Sequence, residues 1–421
     1  MSAASSHPST REGWSILAAL FLSGFMLFGG GLYAFVLMVP VLTDEFHWSR
    51  AASGGLVSTF WLAAPVALFG GVALRRFGPK RLLAAGVTIE AACLVAFGAA
   101  STLPTMYVLR ALMGLGKVLF AVTVPVVVAR HFARHFALSC AVAWAGWHAG
   151  GLVLAPLAGQ LIRTYGWRTT CVVIAIGMLI IGLMPALWAL PPESSAQRGG
   201  RVAPAGKDAG ADRAQLAPAH RGSYRAVLSA PAFWRVAGGS VCCWFVYAGV
   251  LAHQSALVEE SGVSGRWAAI ALGSTAAFAA LGTLFIGVLA ERWRIARVGL
   301  VEHALLTLGV AGLLVFAETH HPAALVVHVV CFGMAIGGCD VFWTTLLKER
   351  IGEAAFAYGY GVWYFFVVAT LLLGPIIAGS LYDASGSYTV ALLVFAAAAI
   401  AAGFIGWVAS PRGPPRTPVP A

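Results

Sequence analysis

Apolar residues run along this chain in long, nearly unbroken stretches, separated by short polar or basic turns. A bilayer core takes roughly 20 apolar residues of helix to cross. Windows of that length fall near 14–42, 51–74, 82–101, 105–129, 137–162 and 169–190. After a gap they resume near 233–258, 267–290, 298–317, 323–347, 355–381 and 388–409. Within lipid every backbone polar group must be satisfied internally, and these runs are too long for barrel strands. The pattern therefore predicts an all-α membrane protein with twelve transmembrane helices. The start, Met1 to Thr10, lacks a basic region, and the first apolar run is too long for a signal peptide, so no cleavage is expected.

The gap divides the spans six and six, giving a bundle over 1–190, a linker over 191–232 and a second bundle over 233–421. The linker is rich in Pro, Gly, Ala and charge, and nearly lacks large apolar residues. Such a segment cannot bury a core and is expected to be largely disordered. The two bundles resemble each other. Gly71-Val-Ala-Leu-Arg75-Arg76 after span 2 matches Gly287-Val-Leu-Ala-Glu291-Arg292 after span 8. Pro156, Gly159 and Gly166 after span 5 match Pro375, Gly379 and Gly386 after span 11. Parallel six-span repeats of this kind place a site at their interface, near the bilayer midplane.

Composition agrees with this class. Of 421 residues, 60% are hydrophobic and only 10% charged, where a soluble domain carries about 25% charge. The net charge of +11 is mainly a topology signal. Most of the 27 Lys and Arg fall on the side that holds both termini and the linker. The positive-inside rule makes that side cytoplasmic. The basic residues sit in short loops between spans, which argues for a lipid bilayer rather than a nucleic acid as the partner. The seven cysteines form no CxxC pair and read as small packing residues. Adjacent Cys242 and Cys243 are the pair open to oxidation. No metal-ligand set and no cofactor motif is read, and no GxxxxGK[ST] loop for nucleotide drive appears. Gly262-Val-Ser264-Gly265 spells a protease-like GxSG, but in a loop where Ser264 reads as a helix N-cap.

Candidate chemistry lies in the few polar residues inside apolar runs. Lys117 stands at the midpoint of span 4, at a cost of about 2.5–3.5 kcal/mol on the lenient insertion scale. Arg110 lies almost two helical turns before it, on the same face. Two stacked cations suggest a site for something negative. Glu90, mid-span in helix 3, is either Lys117's ion-pair partner or a proton carrier. His148, among small residues in span 5, is a proton shuttle or a packing residue. His253 and Gln254, the polar pair of span 7, are candidate substrate contacts together with His148. Asp340 in span 10 is a gate anchor for Lys348 or Arg350, or an interfacial charge. Tyr33, Trp363 and Tyr364 either line a cavity or pack.

Gly71-Val-Ala-Leu-Arg75-Arg76-Phe-Gly78-Pro-Lys80 resembles the G-x-L-A-D-R-x-G-R-K loop of the major facilitator superfamily, with Arg75 in place of the usual Asp. Arg110, Gly114 and Gly116 are similar to that family's R-x-x-x-G-x-G signature in span 4. The resemblance covers essentially the whole chain. It implies two pseudo-symmetric six-helix halves and transport by alternating access. It also implies gating or proton-coupling roles for Arg75, Arg76, Glu291 and Arg292, and for Arg110, whose alternative is snorkelling to the interface. The stretches around 12–14, 45–52, 165–168, 229–235 and 381–388 resemble the monocarboxylate-porter and oxalate/formate-antiporter branch. Members of that branch often carry a cation in span 8 or span 11. Neither span has one here, which leaves Lys117 as the candidate counter-charge.

These readings imply a secondary transporter for a small organic anion, a monocarboxylate, coupled to protons or exchange. It is expected to be non-enzymatic, monomeric and resident in a bacterial inner membrane. A proton-coupled exporter of lipophilic or cationic compounds is the alternative, and a non-transporting receptor or scaffold the third.

Overall fold

The structure is a computed structural model. It describes residues 10–132, 134–191 and 223–411. Eleven apolar helical stretches among them are long enough to cross a bilayer. One of these, Phe136–Ala189, is 54 residues long and holds two spans. It breaks at Gly166, whose φ of 79° suits a residue without a Cβ. The count is therefore twelve spans, arranged as two pseudo-symmetric six-helix halves.

Span 1 is Arg11–Phe46, span 2 Gly55–Phe77, span 3 Pro79–Ala99 and span 4 Leu103–His131. Spans 5 and 6 lie before and after Gly166. Spans 7 to 12 are Pro231–Glu260, Gly265–Arg292, Ile295–Thr319, Pro322–Ile351, Glu353–Ser385 and Thr389–Ala409. Proline occupies the first or second helical position of spans 3, 4, 7 and 10, where its missing N–H costs nothing.

Close backbone approach at glycines joins several of the helices. A Cβ on Gly114 would strike the Phe60 carbonyl between spans 4 and 2, and one on Gly337 the Ala279 carbonyl between spans 10 and 8. Gly146 meets Phe21 between spans 5 and 1, as Gly374 meets Phe245 between spans 11 and 7. Equivalent pairs in the two halves thus use the same small-residue device.

The halves differ in regularity. Spans 7 to 12 are single α-helices. Span 1 carries a π-helical turn at Gly29–Tyr33, and span 6 another at Met178–Leu183. Span 2 is α-helical to Thr59, loosens through turns, runs as 3-10 helix over Ala64–Phe69, then resumes at Gly70–Phe77.

One end of the bundle carries the loops with Arg75, Arg76, Arg130, Arg134 and Lys348; it is called the basic end below. Here the halves meet. Gly71 lies against Tyr358, Gly361 against the Ala67 carbonyl and Gly287 against Ala141. Phe136 packs edge-on to Phe356. Of the expected disordered linker, 192–222 lies outside the described residues. Its far end is ordered: Tyr224–Leu228 is a short helix, capped by Ser223, whose Tyr224 packs on Tyr358.

Candidate functional site

Span 4 presents Arg110 and Lys117 on one buried face, with Gly114 and Gly116 between them. Those glycines decide what surrounds the cations. Gly114 lets span 2 close in at Phe60, and Gly116 lets span 3 close in at Gly86 and Glu90. The π-turn of span 1 completes the wall. A Cβ on Gly31 would overlap the Glu90 carboxylate. A π-turn also leaves a carbonyl outside the regular ladder.

Arg110 uses that carbonyl. Its Nη1 donates to Gly31 O at 2.8 Å and its Nε to Leu56 O at 3.2 Å. Its guanidinium lies 3.6 Å from the Phe35 ring centroid and 4.6 Å from that of Phe60. Arg110 is therefore tethered across spans 1, 2 and 4, and does not reach an interface. Among the charged groups acting on Glu90, Arg110 comes before Lys117. Both Glu90 oxygens nevertheless lack a hydrogen-bond partner among the described residues.

Lys117 is 1% exposed, and its Nζ has neither a hydrogen-bond nor an ion-pair partner among the described residues. The Glu90–Lys117 contact that the sequence left open does not form. Instead Nζ sits 2.9 Å from the Trp61 ring centroid, with Phe28, Trp147 and Phe60 at 5.3, 5.4 and 5.6 Å. A desolvated cation–π contact is worth about 2 kcal/mol, less than the insertion cost of a central lysine. The rings hold the ammonium without fully compensating it. Trp61 stands where span 2 has left α-helical geometry, so the loosened backbone delivers the ring to Lys117.

The second half faces this cation with a carboxylate. Asp340 and Glu90 both act electrostatically on Lys117. Asp340 is partly buried and also acts on Tyr247, Tyr360 and Tyr364. Its expected partners Lys348 and Arg350 lie farther along span 10, where Lys348 caps the Phe136 ring at 4.0 Å. Tyr33, from span 1, accepts a hydrogen bond from Trp147 Nε1 at 3.1 Å and acts electrostatically on Tyr247 across the interface. Lys117 of the first half and Asp340 of the second thus lie within electrostatic reach of each other.

Other expected site residues are distributed differently. His148 is partly buried, its ring beside that of Trp147. His253 bonds Tyr388 and the Pro375 carbonyl, each at 3.1 Å, linking span 7 to span 11. Gln254 donates to Thr275 of span 8 at 3.0 Å. Trp363 donates to Ser240 of span 7 at 2.7 Å and is fully buried. At the basic end Arg75 lies over the Tyr358 ring and Arg76 over that of Phe77. Arg292 is exposed. Glu291 reaches from the second half to span 5, accepting from Leu138 N–H at 3.1 Å and His135 Nδ1 at 3.1 Å. An acid at the first turn of a helix is stabilised by its free N–H groups, so Glu291 latches the halves together.

Sequence reasoning passed over Trp61, Phe28, Phe60 and Trp147. Aromatics are common in membrane helices, and only the fold shows which of them meet a cation. It also passed over Glu302 and His303, both buried in span 9. Their signal was available, since ionisable residues inside an apolar run stand out on sequence alone.

The Major Facilitator Superfamily profile matches residues 20–366. The chain belongs to that superfamily. Among curated relatives, a gallate transporter of Pseudomonas putida is 27% identical over 354 residues, covering 79% of this chain and 77% of its own. Monocarboxylate transporter 11 of Mus musculus is 26% identical over 417 residues, covering 97% and 89%. Among solved structures, the superfamily transporter FucP in the outward conformation superposes with a TM-score of 0.74. That match is 15% identical and covers 95% of this chain and all of that one, a likeness of fold. As a superfamily member the chain is a multi-pass transporter. Its arginine-glycine signature in span 4 is the strand of sequence that holds the Lys117 site open to neighbouring spans.

Proposed function

We propose that this protein is a secondary carrier for a small aromatic monocarboxylate, moved together with a proton by alternating access between the two halves. The observation that carries the reading is Lys117, a buried ammonium held, among the described residues, only by ring faces. A carboxylate would draw Nζ off Trp61 and replace a weak contact with a charge-assisted hydrogen bond. The rings then released, with Tyr33 bonded to Trp147, would take a flat, hydroxylated or unsubstituted ring by stacking. The gallate and monocarboxylate relatives support this class.

Charge balance supports the proton. Lys117 and Arg110 face Glu90 and Asp340, so the four groups sum to zero when all are ionised. A monoanion entering a buried site would leave it one charge in deficit, which low dielectric penalises severely. One proton, on Asp340 opposite Lys117, restores neutrality. The basic end is taken as cytoplasmic on its Lys and Arg excess, placing the Glu291 latch on the inner side of a plasma membrane.

Uptake into proteoliposomes of benzoate-type, short aliphatic and dicarboxylic acids, with and without an inward-acid gradient, tests the reading. Aromatic monocarboxylates should enter fastest and only with the gradient. Equal uptake of cationic dyes and no uptake of any acid would replace it with the exporter reading. Labelling of Ser387→Cys but not Ser195→Cys from outside intact cells checks the orientation.

A further inference from the structure

A second polar cluster lies inside the second half, and adjoins the Lys117 site only where Cys339 precedes Asp340 in span 10. Span 9 contributes Glu302 and His303, span 7 Cys243 and span 10 Cys339, and all four are at least 96% buried. The donor atoms of Cys243, Glu302 and His303 lie within 4.8 Å of one another. Cys339 Sγ is 3.0 Å from Cys243 Sγ, and Cys243 Sγ is 3.7 Å from Glu302 Oε1. His303 Nδ1 lies 2.6 Å from Glu302 Oε2 and 2.8 Å from the Gly299 carbonyl.

An ion pair between Glu302 and His303 accounts for part of this, and not for the rest. His303 Nε2 has no partner among the described residues. The pair gains little from two thiols converging on it from two further helices. Burying four polar groups at membrane depth is costly, and ionisable residues kept there commonly serve a site. The surroundings are built to admit the group as well. Gly403 and Gly406 of span 12 leave room against the imidazole, and Phe342 and Trp343 set their edges on it at 5.3 and 5.4 Å.

We propose that Cys243, Cys339, His303 and Glu302 form a binding site for one thiophilic divalent cation of the Zn2+ class, tying spans 7, 9 and 10 together. Two sulfurs, one imidazole and one carboxylate are the donor set such a cation takes in tetrahedral structural sites. Bonds of roughly 2.0–2.3 Å place tetrahedral donors about 3.3–3.8 Å apart. Closing Cys243, Glu302 and His303 onto a metal therefore needs a shift of about 1 Å, and Cys339, 3.0 Å from Cys243 Sγ, completes the set. The two thiol protons, and the imidazolium proton of the Glu302–His303 pair, leave to solvent as the cation enters; two thiolates and the carboxylate then carry three negative charges against its two. No oxidation or reduction is involved. Because the ligands come from three helices, the cation would enter as the half folds and add to its stability.

Cobalt is the probe. The full chain, purified in detergent and stripped with chelator, is titrated with Co2+ and followed by absorption. Saturation at one Co2+ per chain is expected, with the visible bands of a tetrahedral site and near-ultraviolet thiolate-to-cobalt charge transfer. Cys243→Ser and Cys339→Ser should each remove at least half of that charge-transfer intensity, while Cys242→Ser and Cys331→Ser leave it unchanged. Added Zn2+ should bleach the signal and raise the melting temperature of the parent chain only. If either serine variant does not remain monodisperse, the alanine variant at the same position takes its place. No saturable cobalt signal in the parent, or a signal surviving both Cys243→Ser and Cys339→Ser, overturns the site.

Discussion

The two halves handle buried charge in opposite ways. In the first, Lys117 and Glu90 have no direct polar partner among the described residues, and the helices around them depart from α geometry at Gly29–Tyr33 and through span 2. In the second, Glu302 and His303 touch at 2.6 Å inside uninterrupted helices. An unpaired charge beside loosened backbone is costly to fold and ready to meet a ligand. A paired charge in rigid helices is settled at folding and has little left to offer a passing solute. On the proposed function, the contrast separates a group used in transport from a group used in architecture, though both arise from ionisable residues within apolar runs.

Removing Lys117 should have the largest effect on function and a small one on folding. Lys117→Ala should cut acid uptake by about 100-fold or more while expression and melting temperature stay near those of the parent, since no carboxylate contact is broken. Lys117→Arg should also transport poorly, because a planar fork does not replace a compact ammonium inside a ring cage. The Lys117→Ala, Glu90→Gln double variant sharpens the point. If it transports as well as the parent, Lys117 serves only to balance Glu90 and the contrast between the halves collapses.

Glu302→Ala should show the mirror image. Taking one partner from a buried pair costs about 3–5 kcal/mol, so thermal denaturation in detergent should shift down by several degrees. Uptake per folded molecule should remain within about two-fold, as 302 is not near Lys117. A variant with unchanged stability and lost uptake would move the second cluster into the transport path.

The smallest effect belongs to the connection between the halves. Deleting about 20 residues within 195–220 should change neither expression nor uptake by more than two-fold, as that stretch has no apolar anchors. A longer deletion that takes Tyr224 should do worse, because its ring packs on Tyr358 where Arg75 also lies. Equal behaviour of the two deletions would show that this packing is dispensable.

The hydrophobic pattern alone determined twelve helices and their division, because lipid leaves a spanning chain no other way to satisfy its backbone. Lys117, Arg110, Glu90 and Asp340 were legible for the same reason: charge in an apolar run is costly enough to be conspicuous. Partnership was not legible. Whether Lys117 meets Glu90 or Trp61 depends on how far span 3 stands from span 4 and on where span 2 abandons its helix, and both are set by packing at Gly114, Gly116 and Gly31. His253, Gln254 and Trp363 looked like cavity groups in one dimension. Only the fold turned them toward Tyr388, Thr275 and Ser240. A sequence fixes which groups must be buried, since that is decided residue by residue against lipid. Which of them face one another is a property of helix rotation and close approach, and only the tertiary structure decides it.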